Sequence, residues 1–511
     1  MDTVIGIDIG TQSTKALVVD RDGRILAQHS HGYRVDTPRP LWAEQWPQVW
    51  WEAVQTCIRA CLAASDVDPD SVRALCVSSL YGGSGIPVDA DIRPVYPCLI
   101  WMDRRAEAQV QWVREHIDLG RLQAVTGNAV DSYYGFTKMM WLRDECPAVW
   151  ARTRYLLPPN SYVNYLLSGE IAIDHCSAGN IGGIYDLQAR EWSAEMIDAL
   201  GLDGDRLPAG LVDSGARVGD LLPAQADSLG LPGGIPIVAG GVDAAMATLA
   251  AGATEPGNHV AMIGTSMCWG VINQRVDADQ GLISMPHVLN SARDLYTFGG
   301  ALTAGASVSW FVDTVCGGDT RDANDDGNVF DHLESTAREL APGADGLLFL
   351  PYLMGERSPV WDAHASGGFF GVSLYHGRHH LYRAVLEGVA LALRHNMEAG
   401  TRQGVTLDPG LIVVGGAARS DLWMQIIADV TRMPVHTYQE NVEAALGAAL
   451  LAGQCTGLLD PDAPLRHGTL LKRAEPTDEA SRQYDELFEL YRQLYPTLRP
   501  VMHRLNAIRS A

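Results

Sequence analysis

The apolar residues of this chain recur with two periods, one typical of strands and one typical of helices. Short apolar runs predict strands at residues 4–9, 16–19, 25–27, 72–78, 235–239, 259–263, 268–272 and 411–414. Residues 86–88 and 95–101 are expected to pair as a hairpin around a turn at 89–94. Helical spacing predicts helices at residues 44–64, 104–117, 136–143, 161–167, 244–251, 304–311, 380–400, 421–431, 443–452 and 479–494. This alternation of strands and helices predicts an α/β fold.

Two of the predicted strand pairs enclose a turn of glycine and hydroxyl residues. The first turn contains Gly10 and Thr11, and the second, about half a chain later, is Gly264-Thr265-Ser266. Glycine lets the backbone approach closely, and successive N–H groups with a hydroxyl can cradle an anion. The pattern therefore predicts two related halves that each offer a loop to one phosphate chain.

Length, charge and cysteine content narrow the class of protein. A chain of 511 residues exceeds what one core usually supports, so two or more domains are expected. The formal charge of −23 argues against nucleic acid or an anionic membrane surface as a partner. The cysteine number is odd, at nine, and no CxxC pair occurs, which predicts reduced thiols in a cytoplasmic protein. No signal peptide and no apolar stretch long enough to span a bilayer are visible.

The glycine pair Gly240-Gly241 follows a buried strand and is the predicted domain boundary and hinge. The expected organisation is a first domain at 1–241, a second at 242–485, and a C-terminal helix or tail at 486–511. The Gly- and Asp-rich segment 316–327 is expected to be a surface insert, with Ca²⁺ binding as an alternative.

Two aspartates stand where a carboxylate could take part in phosphoryl transfer. Asp8 lies inside an apolar strand beside Gly10, where an unpaired carboxylate is costly, and it is either ion-paired or a ligand for Mg²⁺. Asp243 follows a buried strand and begins an alanine-rich helix, so it is either an N-cap or a general base. The turn from Gly415-Gly416 to Ser420 also admits a nucleotide, although alone it is a weak signal. The sequence contains neither a Walker A motif nor an early G-x-G-x-x-G.

Ten segments in order make nearly the whole chain resemble the FGGY family of carbohydrate kinases. They are residues 6–11 (GIDIGT), 44–51 (EQWPQVWW), 99–104 (LIWMDR), 240–244 (GGVDA), 264–266 (GTS), 352–359 (YLMGERSP), 368–373 (GFFGVS) with His376, 383–388 (RAVLEG), 415–416 (GG) with Ser420, and 443–448 (EAALGA). The resemblance implies two actin-like (ribonuclease H-like) domains with a deep interdomain cleft. It also implies ATP-dependent phosphorylation of a hydroxyl of a small sugar or polyol, with Mg²⁺ as the accompanying metal.

The resemblance assigns a role to each matching position. Asp8 would organise Mg²⁺, directly or through water, and Asp243 would be the general base that also meets the substrate. Gly10 and Thr11 would contact one part of the phosphate chain, and Gly264, Thr265 and Ser266 another. Gly415, Gly416 and Ser420 would border the adenosine.

The expected sugar-binding residues are Tyr81, Gly82, Trp101, Asp103 and Asp243. Xylulose kinases carry a Gln-Met-His-Gly segment after the strand equivalent to residues 72–78, whereas this chain has Leu80-Tyr-Gly-Gly-Ser84. Tyr81 is expected to stack on the sugar, or Gly82-Gly83 to make room for a different ligand. Trp269, Phe298 and Trp310 are expected in the core more than in the site. A five-carbon ketose such as D-xylulose is the first candidate substrate. This choice follows from how common that substrate is in the family and not from any residue of the sequence.

Three alternatives stay open at this level. The first alternative is a kinase whose substrate is a polyol of the glycerol or erythritol type. The second is a sugar-binding protein with little catalysis. The third alternative is a switch ATPase of the actin-like class, which would hydrolyse ATP without a sugar. A homodimer is common in the family, although no pattern in the sequence identifies an interface.

Overall fold

The computed structural model of this protein describes residues 1–64, 67–275, 281–316, 329–402, 404–439, 443–459 and 468–509. The predicted insert at 316–327 lies, apart from Cys316, outside the described residues. The described strands, in chain order, are β1 (Thr3–Ile9), β2 (Ser13–Asp20), β3 (Ile25–Gly32), β4 (Glu44–Gln45), β5 (Val72–Ser79), β6 (Ile86–Val88), β7 (Cys98–Leu99), β8 (Tyr155–Leu157), β9 (Ile173–Asp174), β10 (Tyr185–Asp186), β11 (Glu191–Trp192), β12 (Leu211–Val212), β13 (Arg217–Asp220), β14 (Pro236–Val242), β15 (His259–Ile263), β16 (Met267–Asn273), β17 (Ile283–Pro286), β18 (Leu295–Gly299), β19 (Leu348–Leu350), β20 (Gly368–Phe370), β21 (Leu411–Val414), β22 (Val435–Tyr438) and β23 (Leu470–Ala474).

Helices connect these strands and confirm the α/β prediction. They are α1 (Pro47–Ala63), α2 (Glu107–His116), α3 (Leu119–Thr126), α4 (Gly135–Glu145), α5 (Pro147–Arg152), α6 (Pro159–Ser168), α7 (His175–Asn180), α8 (Ala194–Ala199), α9 (Pro223–Leu229), α10 (Asp243–Ala250), α11 (Gly305–Val315), α12 (Val329–Arg338), α13 (Arg378–Thr401), α14 (Asp421–Thr431), α15 (Ala444–Cys455) and α16 (Asp478–Arg509). None of the helices in the described part of the chain combines the length and apolar character that a bilayer crossing requires.

The first large sheet is built around β1. Its six strands lie in the order β13-β14-β5-β1-β2-β3, and β1 pairs antiparallel with β2 and parallel with β5. The side chains of β1 are buried except that of Asp8, which is partly exposed. Ile5, Ile7 and Ile9 pack toward α1, and Val4 packs with the residues of α15. Because both faces of β1 are covered, its sequence is a continuous apolar run.

The second large sheet repeats this arrangement. Its seven strands lie in the order β17-β18-β16-β15-β21-β22-β23, and β15 pairs antiparallel with β16 and parallel with β21. Helix α13 lies against β16, β18 and β19, and α14 lies against α13, α16, β22 and the edge strand β23. Each half therefore has a hairpin followed by a parallel strand, with the turn of the hairpin at the same end of its sheet.

Helices α10 and α15 join the two sheets. They pack on each other, and α15 also packs on β1, β2 and β5 of the first sheet. The contact is close because Gly6 and Gly447 have no side chain. A Cβ on Gly447 would collide with the carbonyl of Met246, and one on Gly6 would collide with Ala445 and Ala449. Lys15 on β2 also pairs with Glu443, the residue before α15.

The structure contradicts the prediction at one hairpin and adds detail at two other places. The predicted hairpin at 86–101 is limited to one isolated bridge between Val88 and Pro94, because β6 pairs with β8 and β7 pairs with β4. Gly240 and Gly241 form part of β14, where Gly240 has φ of +76° at an irregularity, and the domain boundary and hinge assigned to this pair stay a prediction. Helix α16 runs through Pro496 and Pro500 to Arg509, so the predicted tail at 486–511 continues the preceding helix as far as the description extends.

Candidate active site

The turn between β1 and β2 carries the first glycine-threonine pair. The N–H of Gly10 donates to the carbonyl of Ser13 over 2.9 Å, which closes the turn. The indole N–H of Trp101 donates to Oγ1 of Thr11 over 3.0 Å, and the amide of Gln45 donates to the Thr11 carbonyl over 3.0 Å. These two bonds hold Thr11 at the wall of a cavity between the sheets.

The turn between β15 and β16 is also closed by a backbone hydrogen bond from its glycine, over a shorter span of the chain. The N–H of Gly264 donates to the carbonyl of Ser266 over 2.9 Å. The first turn of α11 lies against it, because the N–H of Gly305 donates to the Gly264 carbonyl over 2.9 Å. The N–H of Ala306 likewise donates to the Thr265 carbonyl over 3.0 Å. Both predicted phosphate loops are therefore tight hairpin turns, and the first is one residue longer than the second.

Asp8 and Asp243 both face the cavity between the sheets. Oδ1 of Asp8 accepts from the hydroxyl of Ser78 over 3.1 Å, and Oδ1 of Asp243 accepts from the N–H of Ala244 over 2.7 Å. Asp243 is the first residue of α10, and Val242 occupies the N-cap position. Burial raises the pKa of both carboxyl groups, and the charge of Asp8 raises the pKa of Asp243 further. The two acids thus titrate as an interacting pair within one site.

The cavity has a volume of about 360 Å³ and takes its walls from both halves of the chain. This size suits a small polar ligand together with the end of a phosphate chain. Besides the pair of aspartates, its lining residues include Thr11, Tyr81, Trp101, Tyr133, Val242, Ala244, Ala247, Met262, Ser266, Cys268, Phe298, Arg357 and Ala444.

A second, larger cavity lies on the other side of the β15–β16 turn. Its volume is about 1120 Å³, and Gly264 and Thr265 line it while Ser266 lines the first cavity. Gly416 and Ser420 line it as well, and the hydroxyl of Ser420 caps α14 by accepting from the N–H of Trp423 over 3.0 Å. Gly415 supports this wall with φ of +96°, because a Cβ there would lie 2.6 Å from the carbonyl of Ile263. The second turn therefore separates the two cavities.

Two of the predicted sugar-binding residues lie outside the first cavity. Asp103 is fully buried and accepts from the guanidinium of Arg105 and from the N–H groups of Ala43 and Arg105. Gly82 is buried against the ring of Pro159, where a Cβ would collide, so the absence of a side chain at this position permits close packing. Gly83 likewise lies against the carbonyl of Leu99.

Tyr81 and Trp101 do line the first cavity. The Tyr81 hydroxyl accepts from the N–H of Gly135, and its ring lies 5.0 Å from that of Tyr133. Trp269 is fully buried and donates to His259, as expected for a core residue. Phe298 and Trp310, also expected in the core, contribute to the walls of the first and second cavity respectively.

Arg357 and Tyr133 are the main residues of the site that the sequence did not identify. Arg357 belongs to the 352–359 segment, where a charged pair, Glu356-Arg357, interrupts an apolar stretch, and that was the available signal. Burial raises the pKa of the Tyr133 hydroxyl and of the Cys268 thiol, and the charge of Arg357 opposes both shifts. Tyr133 lies beside a second tyrosine in residues 131–135 (DSYYG), which carried no comparable signal.

The side chains around Asp8 are compatible with a bound Mg²⁺ ion. Within the described ranges, no group of three or more His, Cys, Asp or Glu side chains is arranged to hold one. Mg²⁺, however, usually takes only one or two protein carboxylates and completes its shell with phosphates and water. Asp8, a carboxylate facing the cavity with one hydrogen bond from Ser78, fits that mode of binding.

Comparison with known proteins shows what this architecture is similar to. The model of the FGGY family of carbohydrate kinases, N-terminal domain, matches residues 3–250, and that of the C-terminal domain matches residues 259–454. A xylulose kinase of Lactococcus lactis subsp. lactis is 29% identical over 510 residues, covering 99% of both chains. A gluconokinase of Bacillus licheniformis is 28% identical over 498 residues, covering 96% of this chain and 94% of its own.

A solved structure supports the same relationship. The crystal structure of xylulose kinase from Rhodospirillum rubrum superposes with a TM-score of 0.86 at 28% identity, covering 98% of this chain and 100% of the other. These matches confirm the predicted two-domain, actin-like α/β fold. The chain therefore belongs to the FGGY family of carbohydrate kinases, phosphotransferases for which ATP is a substrate.

Proposed function

We propose that this protein transfers the γ-phosphoryl group of ATP to a hydroxyl of a small sugar, with D-xylulose as the first candidate. The observation that carries the proposal is the pair Asp8 and Asp243 in one cavity between two closed glycine-hydroxyl turns. Phosphoryl transfer needs positioning and charge stabilisation more than covalent chemistry, and this arrangement supplies both. In this proposal residues 1–241 form the sugar side and residues 242–485 the ATP side.

Asp243 is the proposed general base. Burial and the neighbouring Asp8 raise its pKa toward neutrality, which suits a group that accepts a proton from a sugar hydroxyl. Asp8 is the proposed ligand of Mg²⁺, directly or through water, and the metal would neutralise phosphate charge when bound. The family membership supports ATP as the phosphoryl donor.

The phosphate chain is proposed to run past the second turn, from the larger cavity into the smaller one. Thr11 lines this path on one side, with Gly10 next to it in the same turn, and Gly264, Thr265 and Ser266 line it on the other. Gly416 and Ser420 line the larger cavity, which has the volume for an adenosine, and Gly415 supports that wall from behind. Ser266 and Thr11 then stand where the terminal phosphoryl meets the sugar.

Tyr81 and Trp101 are the proposed sugar contacts that remain from the sequence prediction. Aromatic rings with a few polar groups are typical of small-ligand pockets, and Tyr133 and Phe298 add two further rings. The names of the full-length xylulose kinase relatives support a ketopentose. Gluconate belongs in any substrate panel, because a relative of nearly equal identity is a gluconokinase. All nine cysteines are free thiols, which supports a cytoplasmic site of action.

The decisive experiment measures ADP release with Mg·ATP across ketopentoses, aldopentoses, gluconate, glycerol and four-carbon polyols. Asp243→Asn is expected to lower kcat by about 10²–10⁴-fold, because the hydroxyl proton then has no acceptor. Asp118→Asn is the matched control, since Asp118 also stands at a helix start, where it caps the N–H of Arg121 far from both cavities. Sugar-independent ADP release that survives Asp243→Asn would instead identify a switch ATPase.

A further inference from the structure

Arg357 presents a buried positive charge to the first cavity, and this charge partly opposes the effects of burial and of Asp8 that raise the pKa of Asp243. Its side chain is only 7% exposed, and its Nε is buried with no hydrogen-bond partner. The guanidinium forms no hydrogen bond or ion pair with any residue in the ranges that the structure describes, and its nearest aromatic ring is that of Phe298, 5.9 Å away. Burial of a charged group that has no hydrogen-bond partner is unfavourable, and a ligand that supplies acceptor atoms would offset this cost.

The guanidinium stands beside the second glycine-hydroxyl turn. A Cβ built on Gly300 would lie 2.9 Å from Nη2 of Arg357 and would collide with the carbonyl of Met267, the residue after Ser266. The N–H of Met267 in turn donates to the carbonyl of Ala301 over 3.1 Å. Arg357 and the strand that leaves the turn therefore border the same point.

A network of hydrogen bonds holds the loop that carries Arg357. Oε1 of Glu356 accepts from the N–H groups of Arg357 and Leu302, over 2.7 and 3.2 Å, and the Ser358 hydroxyl accepts from the N–H of Gly300 over 2.7 Å. Burial raises the pKa of Glu356 to about 8, so near neutral pH this acid does not cancel the charge beside it. The guanidinium is thus fixed in place and left free to meet a ligand.

Asp362 closes the far end of this loop. Its N–H donates to the Glu356 carbonyl over 3.0 Å, and its carbonyl accepts the Glu356 N–H over 2.9 Å. Oδ2 of Asp362 accepts from the Tyr495 hydroxyl over 2.7 Å and from Nε2 of His503 over 2.6 Å. The C-terminal helix α16 therefore anchors the loop that presents Arg357.

We propose that Arg357 is a catalytic residue that binds the phosphoryl group during its transfer, supplied in cis by the 356–362 loop. The inference rests on the proposed kinase function. In the transfer, the sugar oxygen forms a bond to the γ-phosphorus as the bond from that phosphorus to the β–γ bridging oxygen breaks. ADP leaves with the electron pair of the broken bond, and the hydroxyl proton passes to Asp243. Arg357 donates hydrogen bonds to the equatorial phosphoryl oxygens, where charge-assisted bonds are strong.

A sugar is a poorer match for this guanidinium than a phosphoryl group. Sugar hydroxyls are neutral, and neutral donors are sufficient to bind them. Phosphoryl oxygens carry negative charge, which matches the positive charge of the guanidinium. Of the described residues that line the first cavity, Arg357 is the only one with a positively charged side chain. A carboxylate on the acceptor substrate is the competing source of an anionic oxygen, and the test distinguishes it.

The test compares Arg357→Met, which keeps length and removes charge, with Arg357→Lys and with the exposed control Arg24→Met. With the preferred sugar, Arg357→Met is expected to lower kcat by about 10²–10³-fold, and Arg357→Lys to recover part of that loss. The dissociation constant of the sugar without nucleotide is expected to stay within about threefold of the parent value. Thermal melting of each variant identifies any general loss of fold.

A second measurement keeps the inference testable even if the parent phosphorylates no sugar in the panel. Mg·ADP with aluminium fluoride mimics a phosphoryl group in transfer, and the parent is expected to bind it more tightly than Mg·ADP alone. Arg357→Met is expected to lose most of that difference. The proposal is overturned by kcat within about threefold of the parent, by an unchanged aluminium fluoride effect, or by loss of sugar binding without nucleotide.

Discussion

Gly305, the first residue of α11, lies directly against the second glycine-hydroxyl turn. A Cβ at this position would be 2.6 Å from the carbonyl oxygen of Gly264 and 3.3 Å from its carbonyl carbon. The neighbours are backbone atoms, which cannot rotate away as a flexible side chain can. Gly305→Ala therefore has to push the turn and the start of the helix apart.

The size of that displacement follows from the contact distance. Ordinary Cβ contacts begin near 3.4 Å, so the Gly264 carbonyl has to move by about 0.8 Å relative to α11. A misplacement of about 1 Å in a positioning element costs up to about 10²-fold in rate, so we expect kcat/KM for ATP to fall by about 10- to 100-fold. The strain is also expected to lower the free energy of unfolding by about 1–3 kcal/mol.

The assay measures kcat/KM for ATP at saturating D-xylulose, the dissociation constant of ADP, and urea unfolding. The control is Gly120→Ala on the exposed helix α3, where the nearest atom to a new Cβ is Oδ1 of Asp118 at 3.4 Å. That control is expected to leave kinetics unchanged and to stabilise the protein by up to about 1 kcal/mol. Kinetics of Gly305→Ala indistinguishable from the parent would refute the assignment of this turn to the phosphate chain.

Three further predictions concern buried polar groups around the site. Burial raises the pKa of Glu356 to about 8 from a usual value of 4.5, so its contribution to stability is present at low pH and is lost as pH rises through 8. In urea unfolding, the free energy of unfolding should therefore fall less between about pH 5 and about pH 9 for Glu356→Gln than for the parent. An equal fall in both proteins would contradict this. Asp103→Asn should lower the free energy of unfolding by about 3 kcal/mol, because it breaks the buried pair with Arg105, while KM for the sugar stays unchanged. A large rise in that KM at full stability would restore Asp103 as a sugar contact. Lys138 is fully buried and donates to the carbonyls of Ser132 and Tyr133 over 2.6 Å. Lys138→Met should therefore release the Tyr133 loop and raise KM for the sugar by about tenfold with KM for ATP unchanged, and the opposite ranking would argue against Tyr133 as a sugar contact.

Comparison of the predicted and observed elements shows which signals are local. The strands on either side of both glycine-hydroxyl turns begin and end within a few residues of the predicted positions. A continuous apolar run on each side of a short polar turn specifies a hairpin without information from distant residues. Helix α14 has the predicted bounds. Its N-cap serine directly precedes it, and Arg432, which has a left-handed backbone conformation, directly follows it. The predicted hairpin at 86–101 is wrong because β6 pairs with β8 and β7 pairs with β4. Both partner strands lie more than fifty residues away in the chain.

The sequence by itself determined the family, through the order of ten motifs along nearly the whole chain. It also determined the two hairpins and the places of Asp8 and Asp243 in their elements, because these depend on residues adjacent in the chain. Only the tertiary structure decided which side chains reach the cavity. The carboxylate of Asp103 accepts hydrogen bonds from Arg105 and from backbone amides, and Gly82 packs against the ring of Pro159. Arg357 entered the site because contacts from Gly300, Leu302 and α16 hold its loop there. A polar side chain is free to act only if no neighbour in space has already satisfied it, and those neighbours come from distant parts of the sequence.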